Sequence, residues 1–181
     1  MIRRDLFRLA GGVAAGLGCA PALLAATAPI GPGLVLYDER YSDARAFGAV
    51  ARLDGARAVA TGGDVAGLWY GGLEQDSAIG AIAGLTTYAD MLVIAGLAAE
   101  RRRRIVARIA HDARGAAVVA HHVERGAPAI EQRLAEAGAH WPGALWDAFA
   151  AAPGRGLKNR GGRGAPRAAD NPGMLYSWMV G

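Results

Sequence analysis

From residue 31 onward the chain alternates short apolar runs with longer amphipathic stretches. Leu34-Val35-Leu36-Tyr37 lies between Gly-Pro-Gly and Asp-Glu-Arg, the pattern of a short buried strand. From Ser42 to Leu53 the spacing becomes helical, with Ala46, Phe47, Val50 and Leu53 on one side and Arg45, Arg52 and Asp54 off it. Ser42 or Asp43 supplies a capping side chain there, and Gly55 stands where a helix C-terminus calls for glycine. Ala56–Ala60 reads as a second strand, Thr61-Gly62-Gly63-Asp64 as a tight turn, and Val65–Leu73 as a short helix containing Trp69 and Tyr70. The third apolar run, Ala78–Leu85, precedes Thr86 and Thr87, either of which can cap a helix from Tyr88 to about Arg103. Three successive strand-to-helix units predict a parallel α/β sheet.

The rhythm then changes. Arg104–His111 and Ala116–His122 flank Asp112-Ala-Arg-Gly115, whose Asp-first, Gly-last order suits a type I turn and predicts an antiparallel hairpin. If Asp112 pairs with Gly115, Ile105 faces His122 and Ile109 faces Val118 on one side of the ribbon, with Val106, Arg108, Val119 and His121 on the other. Pro128 opens a helix to about Ala137, Trp141–Ala151 forms another, and Met174–Val180 can add a terminal edge strand. The predicted fold is therefore an open α/β sheet in a three-layer sandwich, mainly parallel at the start, with an antiparallel hairpin and C-terminal helices. Residues 27–153 form its single domain, and residues 154–181 a Gly/Arg-rich tail.

The first 26 residues do not fit that domain. Arg3-Arg4 followed by Asp5, Leu6-Phe7 and Arg8 resembles the twin-arginine export signal, with Ile2 in place of the usual Ser/Thr and the apolar pair inverted. A Gly/Ala-diluted apolar segment follows, broken by Pro21, then small residues of the kind a signal peptidase reads. The resemblance implies export to the periplasm, with residues 1–26 removed and a mature chain without a transmembrane span. A second route is a lipid anchor at Cys19, where Gly16 replaces the leucine that signal normally carries.

Export alters the meaning of composition. The only cysteine is Cys19, so a mature chain starting near Thr27 has no disulfide and no thiolates for an iron-sulfur cluster or a c-type haem. The formal charge of +4 is also uneven. Residues 1–26 hold three arginines against Asp5, and residues 154–170 hold four arginines and a lysine against Asp170, so by subtraction the body between them is acidic. The basic character belongs to the two ends, which argues against nucleic acid as a partner. Arg101–Arg104 is read as the end of a long helix, where cations offset unpaired carbonyls.

No complete catalytic motif appears. The chain has three serines, Ser42, Ser77 and Ser177, and no nucleophile elbow. His121 and His122 are adjacent on a strand and point to opposite faces, so they cannot chelate one ion together; His111 falls at the far end of the hairpin, and structural roles outweigh metal binding. What remains is a set of polar turns after the first three strands: Asp38-Glu39-Arg40-Tyr41, Thr61-Gly62-Gly63-Asp64 and Thr86-Thr87. In an open α/β sheet these converge at the carboxyl edge, where such folds hold ligands, although Asp64 and the threonines equally serve as caps. Asp38, Asp64 and Tyr41 are the acid-base candidates of that edge.

Two functional classes follow. One is an exported, non-catalytic accessory or binding protein, carried with a co-exported partner such as a redox protein, which requires an exposed apolar surface. The other is a small cofactor- or small-molecule-binding enzyme using the polar edge, which requires a concave site there. The absence of cysteine and of a metal motif from the mature chain favours the first. The export reading predicts that replacing Arg3 and Arg4 together by lysine leaves precursor in the cytoplasm, as read by cell fractionation; normal export of the double variant would refute it.

Overall fold

The structure is a computed structural model that describes residues 31–73, 80–113, 119–151 and 173–181. The N-terminal stretch read as an export signal, most of the Gly/Arg-rich tail and the tip of the expected hairpin turn lie outside those residues.

Six strands form one sheet in the order β2-β1-β3-β6-β4-β5. β1 (Leu34–Tyr37), β2 (Arg57–Ala60) and β3 (Ile82–Thr86) are parallel, joined through α1 (Ser42–Leu53) and α2 (Val65–Tyr70). After α3 (Tyr88–Glu100) come β4 (Ile105–Asp112) and β5 (Ala120–Arg125), then α4 (Ala129–Ala137), a single 3-10 turn at Gly138–His140, α5 (Trp141–Ala150) and β6 (Met174–Val180). The expected α/β class, the parallel start, the antiparallel pair and the C-terminal helices are all present. Among the described residues no helix is long and apolar enough to cross a membrane.

Side-chain caps start α2 and α3. Asp64 Oδ1 accepts from the backbone N–H of Gly67 at 2.7 Å, and Thr87 Oγ1 from that of Asp90 at 3.3 Å, so both predicted caps form. Gly55 terminates α1 with φ 91°, a conformation that costs a side chain dearly. The cap expected from Ser42 or Asp43 does not form: Tyr41 holds that position without a side-chain hydrogen bond, and Asp43 is buried in the first turn, where its charge suits the helix dipole.

Two layers of helix cover the sheet. On one face α1, α4 and α5 enclose Val35, Phe47, Leu85, Ile109, Leu134, Leu145 and Leu175, with Phe47 set edge-on to Trp146 and Phe149. On the other, α2 and α3 enclose Leu34, Leu36, Trp69, Ile82, Met91, Ile94 and Trp178. Two of the buried indoles pair their N–H, Trp146 Nε1 donating to Asp54 Oδ2 and Trp178 Nε1 to Thr86 Oγ1, each at 3.0 Å, while Trp141 Nε1 is buried without a partner.

Two long-range expectations fail. The terminal strand is not at an edge: β6 lies between β3 and β4 and pairs antiparallel with both. The hairpin register also differs, because Asp112 pairs with Ala120, Ala110 with His122 and Ile109 with Val123. The connection therefore spans residues 113–119 in place of a tight Asp112–Gly115 turn, and Ala113 and Val119 are both buried in the core. Burial of these two apolar residues outweighs the local turn signal. The slip is an odd number of residues, so it exchanges the two faces of β5 and brings His121, not His122, to the side of Ile109.

The Gly84–Trp178 contact ties the parallel and antiparallel halves together. A Cβ on Gly84 would fall within the Trp178 ring, and both residues are enclosed. Gly84→Ala should destabilise by about 1 to 3 kcal/mol, the usual cost of overpacking. Urea unfolding measures this, and a variant as stable as the parent would show that the indole can move aside.

Candidate functional site

The connections from β1 and β3 leave on opposite faces, β1 into α1 and β3 into α3, so the crevice between their carboxyl ends is a topological switch point. Asp38 occupies it, fully buried. Its carboxylate accepts from Arg40 three times: backbone N–H to Oδ1 at 3.1 Å, Nε to Oδ1 at 2.9 Å and Nη2 to Oδ2 at 2.6 Å. The hydrogen bond from Arg40 to Asp38, reinforced by their opposite charges, holds the guanidinium protonated even more firmly than usual. Arg40 also lies 5.9 Å from the Tyr41 ring centroid. Asp38 is thus engaged at both oxygens, which suits a structural anchor better than a general base.

The neighbouring turns are similarly engaged. Glu39 accepts from the Gly62 N–H at 3.2 Å through Oε2, and its carbonyl accepts from Arg45 at 2.6 Å. Gly62 and Gly63, with φ 60° and 75°, make the turn that carries the chain to Asp64. Asp64 is the cap of α2, the simpler of its two sequence readings. Thr86 is enclosed and donates to the Thr87 carbonyl at 3.2 Å while receiving the Trp178 N–H, and Thr87 caps α3. Thr61 is buried with its hydroxyl unpaired.

One further group at this edge belongs to no sequence motif. Asp90, in the first turn of α3, has a buried Oδ2 without a hydrogen-bond partner. Burial raises its pKa, the Thr87 hydrogen bond opposes this, and the nearby charges of Asp38, Arg40 and Glu39 also act on it. The sequence carries no signal for this beyond an acid three residues after a capping threonine. Of the carboxylates at the edge, Asp90 has unfilled hydrogen-bonding capacity, while Asp38 and Asp64 are committed.

A second polar cluster lies further along the same end of the sheet. His111 on β4 and His121 on β5 are directly opposed, with Nδ1 to Nδ1 2.8 Å apart, and His111 Nε2 is 2.8 Å from Ser177 Oγ on β6. Trp141 stacks on His111 at 4.3 Å between ring centroids and lies 5.1 Å from His121. The expected opposition of His121 and His122 holds, since His122 pairs with Ala110 and is exposed, but His111 is beside His121 and not at the far end of the hairpin. Ser177, His111 and His121 stand in the order of nucleophile, base and orienting group. Yet Ser177 is 0% and His111 1% exposed, which leaves a substrate no approach.

The fold and this edge define an open, mixed α/β sheet whose carboxyl end carries two buried polar networks. No family model, curated protein or solved structure matches the chain.

The bonding of the two aspartates makes a separable prediction. Asp64→Ala should lose about 0.5 to 2 kcal/mol, and Asp64→Ser should recover most of it, because a cap needs only a short oxygen acceptor. Asp38→Asn should lose about 1.5 to 3 kcal/mol, since hydrogen bonds to a charged group are replaced by neutral ones. Denaturant unfolding of the three variants tests both. An Asp38→Asn protein as stable as the parent would free that carboxylate for a functional role.

Proposed function

We propose that the protein is an exported, non-catalytic accessory protein that docks a co-exported polypeptide through the outward side of α3. One observation carries the reading: α3 is apolar on both sides. Met91, Ile94, Leu97 and Ala98 face the core, while Tyr88, Leu92 and Val93 remain 47%, 47% and 41% exposed beside the exposed Ala89, Gly96 and Ala99. A helix of this composition is normally covered all round, and a single-sided surface helix would carry charge where Leu92 and Val93 stand. Tyr88 packs on Tyr176 with ring centroids 5.0 Å apart, and Met174, also exposed, extends the apolar surface onto β6. The commitment of Asp38 to Arg40 and of Asp64 to its cap supports a non-catalytic role at the carboxyl edge.

A second reading, a small-molecule site at the switch point, is favoured by the unpartnered Asp90 carboxyl oxygen and Thr61 hydroxyl. The two readings separate on one preparation. Native mass spectrometry of the purified exported protein should show a stoichiometric second polypeptide. Leu92→Glu should remove it while leaving unfolding within about 0.5 kcal/mol of the parent, as expected for an exposed position. A second copy of this chain in place of a different polypeptide, or a partner retained by Leu92→Glu, would overturn the docking proposal. A bound small molecule lost in Asp90→Asn would establish the alternative.

A further inference from the structure

We propose that the His111–His121 pair is an acid-sensitive latch that fastens the edge strand β5 and the start of α5 to the sheet. The argument begins with proton count. Two imidazole nitrogens 2.8 Å apart can bond only if one carries hydrogen and the other presents a lone pair, so the Nδ1 to Nδ1 contact holds one proton and no more. The same contact joins β5 to β4, while Trp141, the first residue of α5, lies against both rings. The far side of His111 is fixed by Ser177 on β6. Breaking the pair therefore loosens three elements at once.

One added proton can be accommodated and a second cannot. With His121 protonated, its Nδ1–H donates to His111 Nδ1, and His111 turns its Nε2–H toward Ser177 Oγ. With both rings protonated, two N–H groups face each other and the bond is lost, beneath an indole that offers no water. Burial, followed by the proximity of His121, keeps His111 far below the usual imidazole range, and burial pulls His121 down to about 4.

The surrounding groups do little to relieve this. From α4, Glu131 favours a charged His121, but one of its oxygens is held by the Val123 N–H at 3.1 Å. From β6 the facing polar group is the neutral Ser177, and α5 presents the indole of Trp141. His140 precedes it, with a buried Nδ1 that has no partner. Asp112, Arg108, His122 and Glu124 alternate onto the other side of β4 and β5, where Arg108 pairs with Glu124.

The sign follows from linkage. Both rings bind protons less readily in the closed state than in an open one, where the ordinary value is about 6.5. The latch therefore contributes fully above that pH. Its contribution is lost progressively as pH falls from 6.5 toward 4, where His121 itself begins to charge in the closed state.

Hydrogen exchange read by mass spectrometry, corrected for intrinsic rates, tests this on the full chain. Between pH 6.5 and 4, opening of the 120–125 and 141–145 segments should rise about tenfold per pH unit for each proton taken up, relative to α3. The His111→Gln, His121→Gln double variant should lose that excess. Equal steepness in the double variant, or a flat profile in the parent, overturns the proposal. Should the double variant fail to fold, the ring resonances of the parent protein decide: His121 should stay neutral until the pH nears 4, and His111 should resist protonation well below the usual imidazole range. Titration of either above pH 6 overturns the latch.

Discussion

The sheet depends on one late insertion, the placement of β6 between β3 and β4. Without it the parallel set β2-β1-β3 and the antiparallel pair β4-β5 share no backbone pairing. The strand also distributes its side chains to both layers. Leu175 and Ser177 face α1, α4 and α5, while Trp178 and Val180 complete the layer beneath α2 and α3. The glycine at position 84 exists for this strand, because only a missing Cβ lets the Trp178 indole lie against β3. Closure therefore unites residues nearly a hundred positions apart, and folding must bear that long loop before the contacts form.

This dependence explains which parts of the fold were legible in the sequence. The strand-to-helix units, the caps at Asp64 and Thr87 and the helix stop at Gly55 are local, each set by residues within one turn of each other. The hairpin register and the position of β6 are set by partners far away. Asp112-Ala-Arg-Gly115 is a sound turn signal, but it competes with the burial of Ala113 and Val119, and burial prevails. Seven apolar-rich residues at the end of a chain announce a strand without naming its neighbours. Of the candidate site, the convergence of Asp38, Thr61 and Thr86 at the carboxyl end was legible from strand order alone. The pairing of Asp38 with Arg40 two residues on, the exposure on α3 and the His111–His121 contact were not, since each turns on side-chain geometry or on register.

The two faces of the sheet are finished differently. Three helices cover one: α1 buries Ala44, Phe47, Val50 and Ala51 and turns Arg45 and Arg52 to solvent, and α5 has no exposed residue. The other has two, and α2 is short. α3 thus carries much of that layer, yet its own outward side keeps the apolar character of its inward side. Tyr88, Leu92 and Val93 add nothing to the core beneath them. Apolar exposure without a packing role inside the chain is the property an interface requires, and the neighbouring Tyr176 and Met174 show that it continues past the helix onto the central strand.

The histidine network also bears on how the register is chosen. Polar groups in a core cost free energy unless every one is matched, so they penalise each arrangement that leaves one unmatched. His111 finds His121 and Ser177 only when β4, β5 and β6 stand in the observed alignment. A slip of β5 by one residue would bring His122 inward in the wrong position and send His121 to solvent, leaving His111 buried with an unsatisfied nitrogen. The same pair that responds to protons therefore discriminates between alignments of an edge strand whose turn is too long to fix its own pairing.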